Sequence, residues 1–236
     1  MSLYKFSFWE VLKHSFSQEV WGQVIPALGE TMYMVVISSV FVLLFGIILG
    51  LVVVLTGKEG LYPCRPLHAV LGAVINCFRS LPQVIIIIVM LPVARLLLGQ
   101  SYGSNACIIS LIASCVPLFA RLVESSLLEI EKGKIEAAKA MGSGNFRILF
   151  RVMLPETLPS LIRSFTNAVV IVISMTALAG SFGAGGIGYI AVTFGYTRYQ
   201  HDLLFATIIV LIIIVQLVQF AGDACSKMIL KKRHLI

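Results

Sequence analysis

A glycine-rich run late in the chain, from Gly183 to Gly188, has a composition that could hold a phosphate group. A phosphate-binding loop also needs a Gly-Lys-Ser/Thr ending and a preceding strand, and the sequence offers neither. Clustered glycine in an apolar chain instead lets backbones approach closely or lets a helix break. The sequence therefore predicts packing or hinge positions at Gly183, Gly185, Gly186 and Gly188.

Metal and thiol chemistry are not indicated either. The five cysteines contain no Cys-x-x-Cys pair and mostly lie in apolar runs, which is typical of small core residues. The four histidines have no ligand-like spacing, so we expect no metal and no cofactor in this chain. No set of residues suits ATP hydrolysis, and the chain is not predicted to be an enzyme.

Composition predicts an integral membrane protein. The chain has 236 residues, 58% of them hydrophobic and 12% charged, with a mean hydropathy of +0.97. Soluble domains have about 25% charged residues. The net charge of +7 is therefore interpreted by position and not as a signal for nucleic-acid binding.

Uncharged runs predict five transmembrane helices, since a span needs about 20 apolar residues. The first, second and last are 31–57, 67–94 and 203–222. The third span begins with 106–120, and the fourth, 165–179, is the first half of the long uncharged run 164–197. The second run is interrupted by Arg79 and Pro82. Because its halves are too short for two spans, we expect one long helix kinked at Pro82. Aromatic and charged residues mix over residues 1–30, which predicts an amphipathic helix at the membrane interface, with a disordered tail as the alternative.

Arg79 lies well inside a predicted span. A charge in the membrane is costly, so its side chain is expected to face protein or a water-filled cavity. Two roles are open for it: bonding to backbone carbonyls at the kink, or contacting a transported solute.

The most informative stretch is Glu136–Pro155, which is charged and helix-favouring and lies between two apolar spans. Alanines after Glu136 favour a helix, and Gly142 predicts its end. Asn145 is expected to cap a second short helix, which Leu154-Pro155 should end. The pattern predicts a helix-turn-helix elbow at one membrane surface.

Charge bias places this elbow in the cytoplasm. With the elbow inside, most of the 18 Lys and Arg residues lie on the inner side. Five spans then put the N-terminus outside and the C-terminus inside. Six spans would put both termini inside, and the shortness of the two halves favours five. Five spans are few for a polar path, so we expect a homodimer with the path along its twofold axis.

The elbow also carries a resemblance. Its pattern of Glu136-Ala137-Ala138, then Gly142, then Val152-x-Leu154-Pro155 resembles the EAA loop of ABC importer permeases, which usually have Ile at the Val152 position. In that family the loop is a coupling helix held by the ATP-hydrolysing subunit. The resemblance implies a transmembrane domain over residues 31–236, with the coupling loop at about 132–156. The implied coupling residues are Glu136, Ala137, Ala138, Met141, Gly142, Leu154 and Pro155.

Further segments, including Asn76–Pro82 and Gln219–Asp223, resemble the permease subunits of bacterial methionine ABC importers. The resemblance implies alternating access in a bacterial inner membrane. It implies two permeases, two ATPases that bind ATP and Mg, an external methionine-binding lipoprotein and no nucleic acid. The implied path or gate residues are Ser174, Met175, Thr176, Leu178 and Arg79. Met175 replaces an aromatic residue of the family, and Leu178 replaces a Met. These two differences leave the identity of the gate residues and of the transported substrate undecided.

Other functions remain as alternatives. A permease for another amino acid is the first, because an external binding protein largely decides the cargo. The second is an ATP-independent secondary transporter or channel. The third is a passive membrane anchor. Secondary transporters often carry internal repeats and several embedded ionisable residues, and the sequence shows no repeat and only Arg79 well inside a span.

Overall fold

The computed structural model describes residues 8–232, and the regular structure in that range is entirely helical. The helices in chain order are α1 Phe8–His14, α2 Gln18–Thr56, α3 Arg65–Ser80, α4 Gln83–Leu98, α5 Ser104–Leu128, α6 Lys132–Ala140, α7 Asn145–Ile148, α8 Leu154–Gly180, α9 Gly186–Tyr189 and α10 His201–Lys232. Two π-helical segments, Leu149–Met153 and Ile190–Thr197, follow α7 and α9. The predicted all-α fold class is confirmed for the described residues.

Within residues 8–232, four helical stretches are long and apolar enough to cross a membrane: Gln18–Thr56, Ser104–Leu128, Asn145–Gly180 and His201–Lys232. Helices α3 and α4 make a fifth candidate if the bent pair counts as one span. The predicted number of five is met on that condition. The orientation of the termini stays a prediction.

The first spanning helix begins earlier than its uncharged run. Helix α2 starts at Gln18, so the boundary expected at residue 30 falls inside it. Other elements cover one side of its first turns, because Val20, Val24 and Ala27 are buried in a hydrophobic cluster. Burial against other elements thus extends the helix past charged positions. Residues 1–7 of the predicted interfacial segment lie outside the described residues.

The second predicted span is broken. Helix α3 ends at Ser80, α4 begins at Gln83, and the chain bends by 108° between them. Pro82 pushes the residue before it into extended backbone, and Leu81 accordingly has φ −83° and ψ 138°. The expected position of the bend is confirmed, but its size exceeds that of a kink within one continuous helix.

Several other prolines lie inside the described helices instead of ending them: Pro26, Pro92, Pro117, Pro155 and Pro159. Pro117 lies within α5, and Pro155 lies in the first turn of α8. The stretch Asn145–Gly180 is one continuous helix, so the expectation that Leu154-Pro155 ends the second elbow helix is wrong. Proline crowds the carbonyl four residues before it, and the π-helical turn just before α8, which bonds residues five apart, accommodates this.

The chain divides into two compact units. Among the described residues, the first contains 8–38, Gln83–Ala113 and Ile171–Leu217. Its hydrophobic cluster joins the start of α2 to α9, the π segment after it and α10. The buried members are Val20, Val24, Ala27, Ile187, Ile190, Leu203, Ala206 and Val210.

The second unit contains Ser39–Pro82, Ser114–Val170 and, of the described residues that follow, 218–232. In this unit α2 and α5 pack closely, because a side chain at Gly46 would collide with Phe119 and one at Gly50 with Val123. Close approach of this kind is how membrane helices without a hydrophobic driving force gain packing energy.

Candidate docking surface and permeation path

The elbow turn is closed by backbone hydrogen bonds around Gly142. The Gly142 N–H donates to the Lys139 carbonyl at 2.9 Å, and the Ser143 N–H donates to the Ala138 carbonyl at 3.0 Å. This pair of bonds is a Schellman motif, which requires left-handed backbone at the residue past the helix end. Gly142 has φ +75°, a conformation that glycine adopts without penalty. The predicted end of the first elbow helix is therefore confirmed.

Asn145 does not cap the second elbow helix. Gly144 occupies the cap position and makes no side-chain cap bond. The Asn145 side-chain nitrogen instead donates to the backbone carbonyl of Leu61 at 2.7 Å. The prediction that Asn145 caps this helix is therefore wrong, because the Leu61 carbonyl, in the loop after α2, accepts the hydrogen bond of the Asn145 side-chain amide instead.

Two ion pairs connect α6 to neighbouring elements. The Lys132 ammonium lies 2.5 Å from the Glu59 carboxylate, and the Lys134 ammonium lies 2.6 Å from that of Glu156. The hydrogen bond from Lys132, followed by its charge, lowers the pKa of Glu59. The hydrogen bond to Glu156 raises the pKa of Lys134. Such exposed pairs are individually weak and are screened by salt.

The exposed side of the elbow is partly apolar. Met141, Phe146 and Phe150 are 78%, 71% and 48% exposed. The ring centroids of the two phenylalanines lie 4.5 Å apart. Among the predicted coupling residues, Glu136, Ala137 and Gly142 are also exposed, Leu154 and Pro155 are half-buried, and Ala138 is buried. Our sequence reasoning did not assign Phe146 and Phe150 to the site. Their spacing of four on a helix was the available signal.

The four predicted gate residues do not share one face of α8. Ser174 and Leu178, one helical turn apart, are exposed. Met175 and Thr176 are 3% and 2% exposed, and the Thr176 hydroxyl donates to the Ile173 carbonyl at 2.6 Å. The structure therefore brings two of the four to an accessible surface and places the other two in the protein interior.

Arg79 is exposed, and its side chain makes no hydrogen bond or ion pair within the described part of the chain. Of the two roles left open for Arg79, bonding to backbone carbonyls at the kink is not observed among the described residues. The arginine that bridges helices here is Arg121, which donates to the Asn76 side-chain oxygen at 2.9 Å and pairs with Glu124 at 2.5 Å. No bridging role was predicted for Arg121 from the sequence, although it lies just past an apolar run.

The glycine run forms a turn that is bonded to α2 and to the start of α5. Glu30 accepts a hydrogen bond of 2.7 Å from the Gly186 N–H, and Thr31 accepts one of 2.9 Å from the Ile187 N–H. The Ser104 hydroxyl donates to the Ala184 carbonyl at 3.1 Å. Gly183, Gly185 and Gly186 have positive φ, and a side chain at Gly185 would also collide with the Glu30 carboxylate. Gly188 packs closely against the Ala177 backbone.

These features define an all-helical, multi-pass membrane protein with an exposed elbow between two spans. Within residues 8–232, no group of three or more His, Cys, Asp or Glu side chains is placed to hold a metal ion.

Comparison with known proteins identifies the family. Residues 43–232 match the family described as the binding-protein-dependent transport system inner membrane component. The chain is 39% identical over 201 residues to a probable D-methionine transport system permease protein of Vibrio cholerae, covering 85% of this chain and 89% of the relative. It is 40% identical over 178 residues to a methionine import system permease protein of Bacillus subtilis, covering 75% of this chain and 80% of the relative.

A solved structure agrees with these sequence matches. One chain of the MetNI methionine ABC transporter in an inward-facing conformation has a TM-score of 0.87 and 33% identity. The match covers 91% of this chain and 99% of that chain. The chain described here therefore belongs to the family of binding-protein-dependent transport system inner membrane components, which are permease subunits of ABC transporters.

Proposed function

We propose that the chain is the membrane permease of an ATP-driven methionine importer, with another amino acid as the alternative cargo. The observation that carries the proposal is membership of the permease family together with relatives named as methionine transport permeases, matched over most of the chain. The chain supplies the path through a bacterial inner membrane. A separate ATPase binds ATP and Mg and performs the hydrolysis.

The elbow is the surface that we assign to the ATPase. It exposes three large apolar side chains, Met141, Phe146 and Phe150, beside charged residues of α6. Exposed apolar groups rimmed by charge mark protein interaction sites, and aromatic anchors commonly supply most of the binding energy. Glu136 offers an exposed carboxylate to the same partner, and the turn at Gly142 sets the angle between the two elbow helices.

Two copies of the chain form the path in this proposal. Ser174 and Leu178 are exposed in the single chain, and a twofold axis would bring two such faces together. Arg79, exposed beside the break at Pro82, is a third candidate for the path. Met175 and Thr176 then act by packing behind the exposed face. The N-terminus lies outside, the C-terminus and elbow lie inside, and a methionine-binding lipoprotein docks on the outer side.

Transport in this scheme proceeds by alternating access. ATP binding closes the two ATPases on each other and moves both elbows, which shifts the helices to an outward-open packing. Hydrolysis lets them return to an inward-open packing. The chain contributes no bond-breaking chemistry, and the coupling is a shift in population between two packings.

Reconstitution into vesicles tests the proposal. The permease is co-purified with its ATPase, and uptake of radiolabelled methionine is measured with ATP on the elbow side and loaded binding protein on the other. We expect uptake only when all components are present, and none with a hydrolysis-deficient ATPase. Uptake by the permease alone would contradict the proposal. So would labelling from outside the cell of a cysteine placed at Glu136, with one placed at Gln100 as the outer control.

A further inference from the structure

An open pocket lies where α2 meets the start of α5, inside one compact unit of the chain. Its volume is about 540 Å³, and it is lined by Gly29, Glu30, Tyr33, Gln100, Ser104 and Asn105. Ser104 begins α5, whose opposite end leads into the elbow. With the elbow inside, the pocket therefore opens on the outer side of the membrane.

The pocket presents hydrogen-bond acceptors in fixed positions. One oxygen of Glu30 is held by the Gly186 N–H at 2.7 Å, and the other has no partner among the described residues. Tyr33 follows Glu30 by three positions, so both lie on one face of α2. Its hydroxyl donates to the Asn105 side-chain oxygen at 2.9 Å, which leaves the phenol oxygen able to accept.

The only charge that the side chains of the lining carry is negative. Glu30 is the ionisable acid of the set, and among residues 8–232 no Lys, Arg or His lines the pocket. A free amino acid is a zwitterion and would need a cation for its carboxylate, which this lining does not provide. A single ammonium or guanidinium group needs only what is present, namely a carboxylate and neutral acceptors.

The walls are also held in place before any partner arrives. The Gly103 N–H donates to the Gly183 carbonyl at 2.9 Å, and the Ser104 hydroxyl donates to that of Ala184 at 3.1 Å. Together with the bond from Gly186 to Glu30, these contacts fix the glycine turn against the pocket. Preorganised acceptors cost little ordering entropy on binding, which favours association with a protein surface.

We propose that this pocket receives a Lys or Arg side chain of the external binding protein, with Glu30 as its counter-ion. The inference rests on the proposed function, because it needs an importer that is fed by such a protein. It adds a residue-level contact on the outer side, where the charge of the pocket selects the chemistry of the partner.

The test measures the affinity of methionine-loaded binding protein for the permease–ATPase complex in nanodiscs. The binding protein is the one that supports ATP-driven uptake by the wild-type complex. Glu30→Gln keeps an oxygen for the Gly186 N–H and removes the charge. We expect its dissociation constant to rise about threefold to tenfold, and its salt dependence to weaken. Glu19→Gln, an exposed acid on the same helix outside the pocket, is the matched control and should stay within about twofold.

A second variant keeps the test decisive if Glu30→Gln fails to assemble. Gln100→Lys places a cation in the pocket without touching the bond between Glu30 and the glycine turn. It should weaken binding by repulsion, whereas Gln23→Lys, exposed on α2 outside the pocket, should not. Wild-type affinity in Gln100→Lys overturns the inference. Reduced methionine uptake with unchanged protein affinity also overturns it, because the pocket would then serve the cargo. Loss of binding-protein dependence in the wild type would instead refute the proposed function itself.

Discussion

The side-chain amide of Asn145 donates a 2.7 Å hydrogen bond to the backbone carbonyl of Leu61. The bond ties the first turn of the second elbow helix to the loop between α2 and α3. Leu61 is buried and Asn145 is half-buried, so water competes poorly for either group. The elbow is therefore positioned by a contact far away in the sequence.

Replacing Asn145 by Asp should weaken the attachment of the elbow, because Asp keeps the size but cannot donate. We expect a loss of about 1 kcal/mol or more in stability and a fall in methionine transported per ATP hydrolysed. Thermal unfolding in detergent and paired uptake and ATPase assays measure the two effects. Ser143→Ala, in the same turn, is the control, and an Asn145→Asp protein that matches it would count against this role.

A matched glycine pair separates backbone strain from steric crowding. A Cβ at either Gly142 or Gly144 would meet nothing within 4 Å, but only Gly142 has positive φ, at +75°. Gly142→Ala should cost about 1–2 kcal/mol and reduce co-purification of the ATPase. Gly144→Ala, at φ −68°, should be tolerated. Equal behaviour of the two variants would show that the turn geometry does not matter. Gly142→Asp should abolish uptake while the permease still inserts.

Cysteine accessibility tests the assignment of the path on α8. Single cysteines at Ser174 and Leu178, in a chain without native cysteines, should react with a water-soluble thiol reagent during transport. Cysteines at Met175 and Thr176 should react at least about tenfold more slowly, since burial opposes formation of the thiolate. Fast labelling at Met175 together with protection at Leu178 would reverse the assignment of faces.

The ion pair between Lys132 and Glu59 gives a prediction about pH. The hydrogen bond and charge of Lys132 lower the pKa of Glu59 below its ordinary value of 4.5. A depressed folded-state pKa means that the contribution of the pair to stability is present above 4.5 and is lost as pH falls through the lower folded value. Lys132→Gln should therefore move the NMR titration midpoint of the Glu59 carboxyl upward, and high salt should do the same in the wild type. A midpoint that does not move would show that the pair is absent in solution.

Features set by local chemistry were predictable from the sequence. The helix end at Gly142 follows from the left-handed backbone that glycine permits, and the break at Pro82 follows from a missing N–H and a restricted neighbour. The long uncharged runs likewise predicted the spanning helices. In each case the deciding interaction lies within a few residues of the signal.

Features set by distant contacts were not predictable. Asn145 is of a residue type that commonly caps helices, but the Leu61 carbonyl competes for its side-chain amide. Proline commonly ends a helix, but the π-helical turn before Pro155 lets the helix continue through it. Met175 and Leu178 are both apolar, and only packing decides that one is buried and the other exposed. Glu30 is the last residue of the predicted interfacial segment, and only the folded chain brings the glycine turn within hydrogen-bonding distance of its carboxylate.

The elbow is braced at three separate points: Lys132 to Glu59, Asn145 to Leu61, and Lys134 to Glu156. A loop anchored only by its two ends absorbs a push by bending. A loop braced at several points on different elements moves as one block, so a partner that displaces it loses little of the stroke to local flexing. In the mechanism proposed above, the stiffness of this surface, in addition to its affinity for the ATPase, sets how much nucleotide-driven motion reaches the spanning helices.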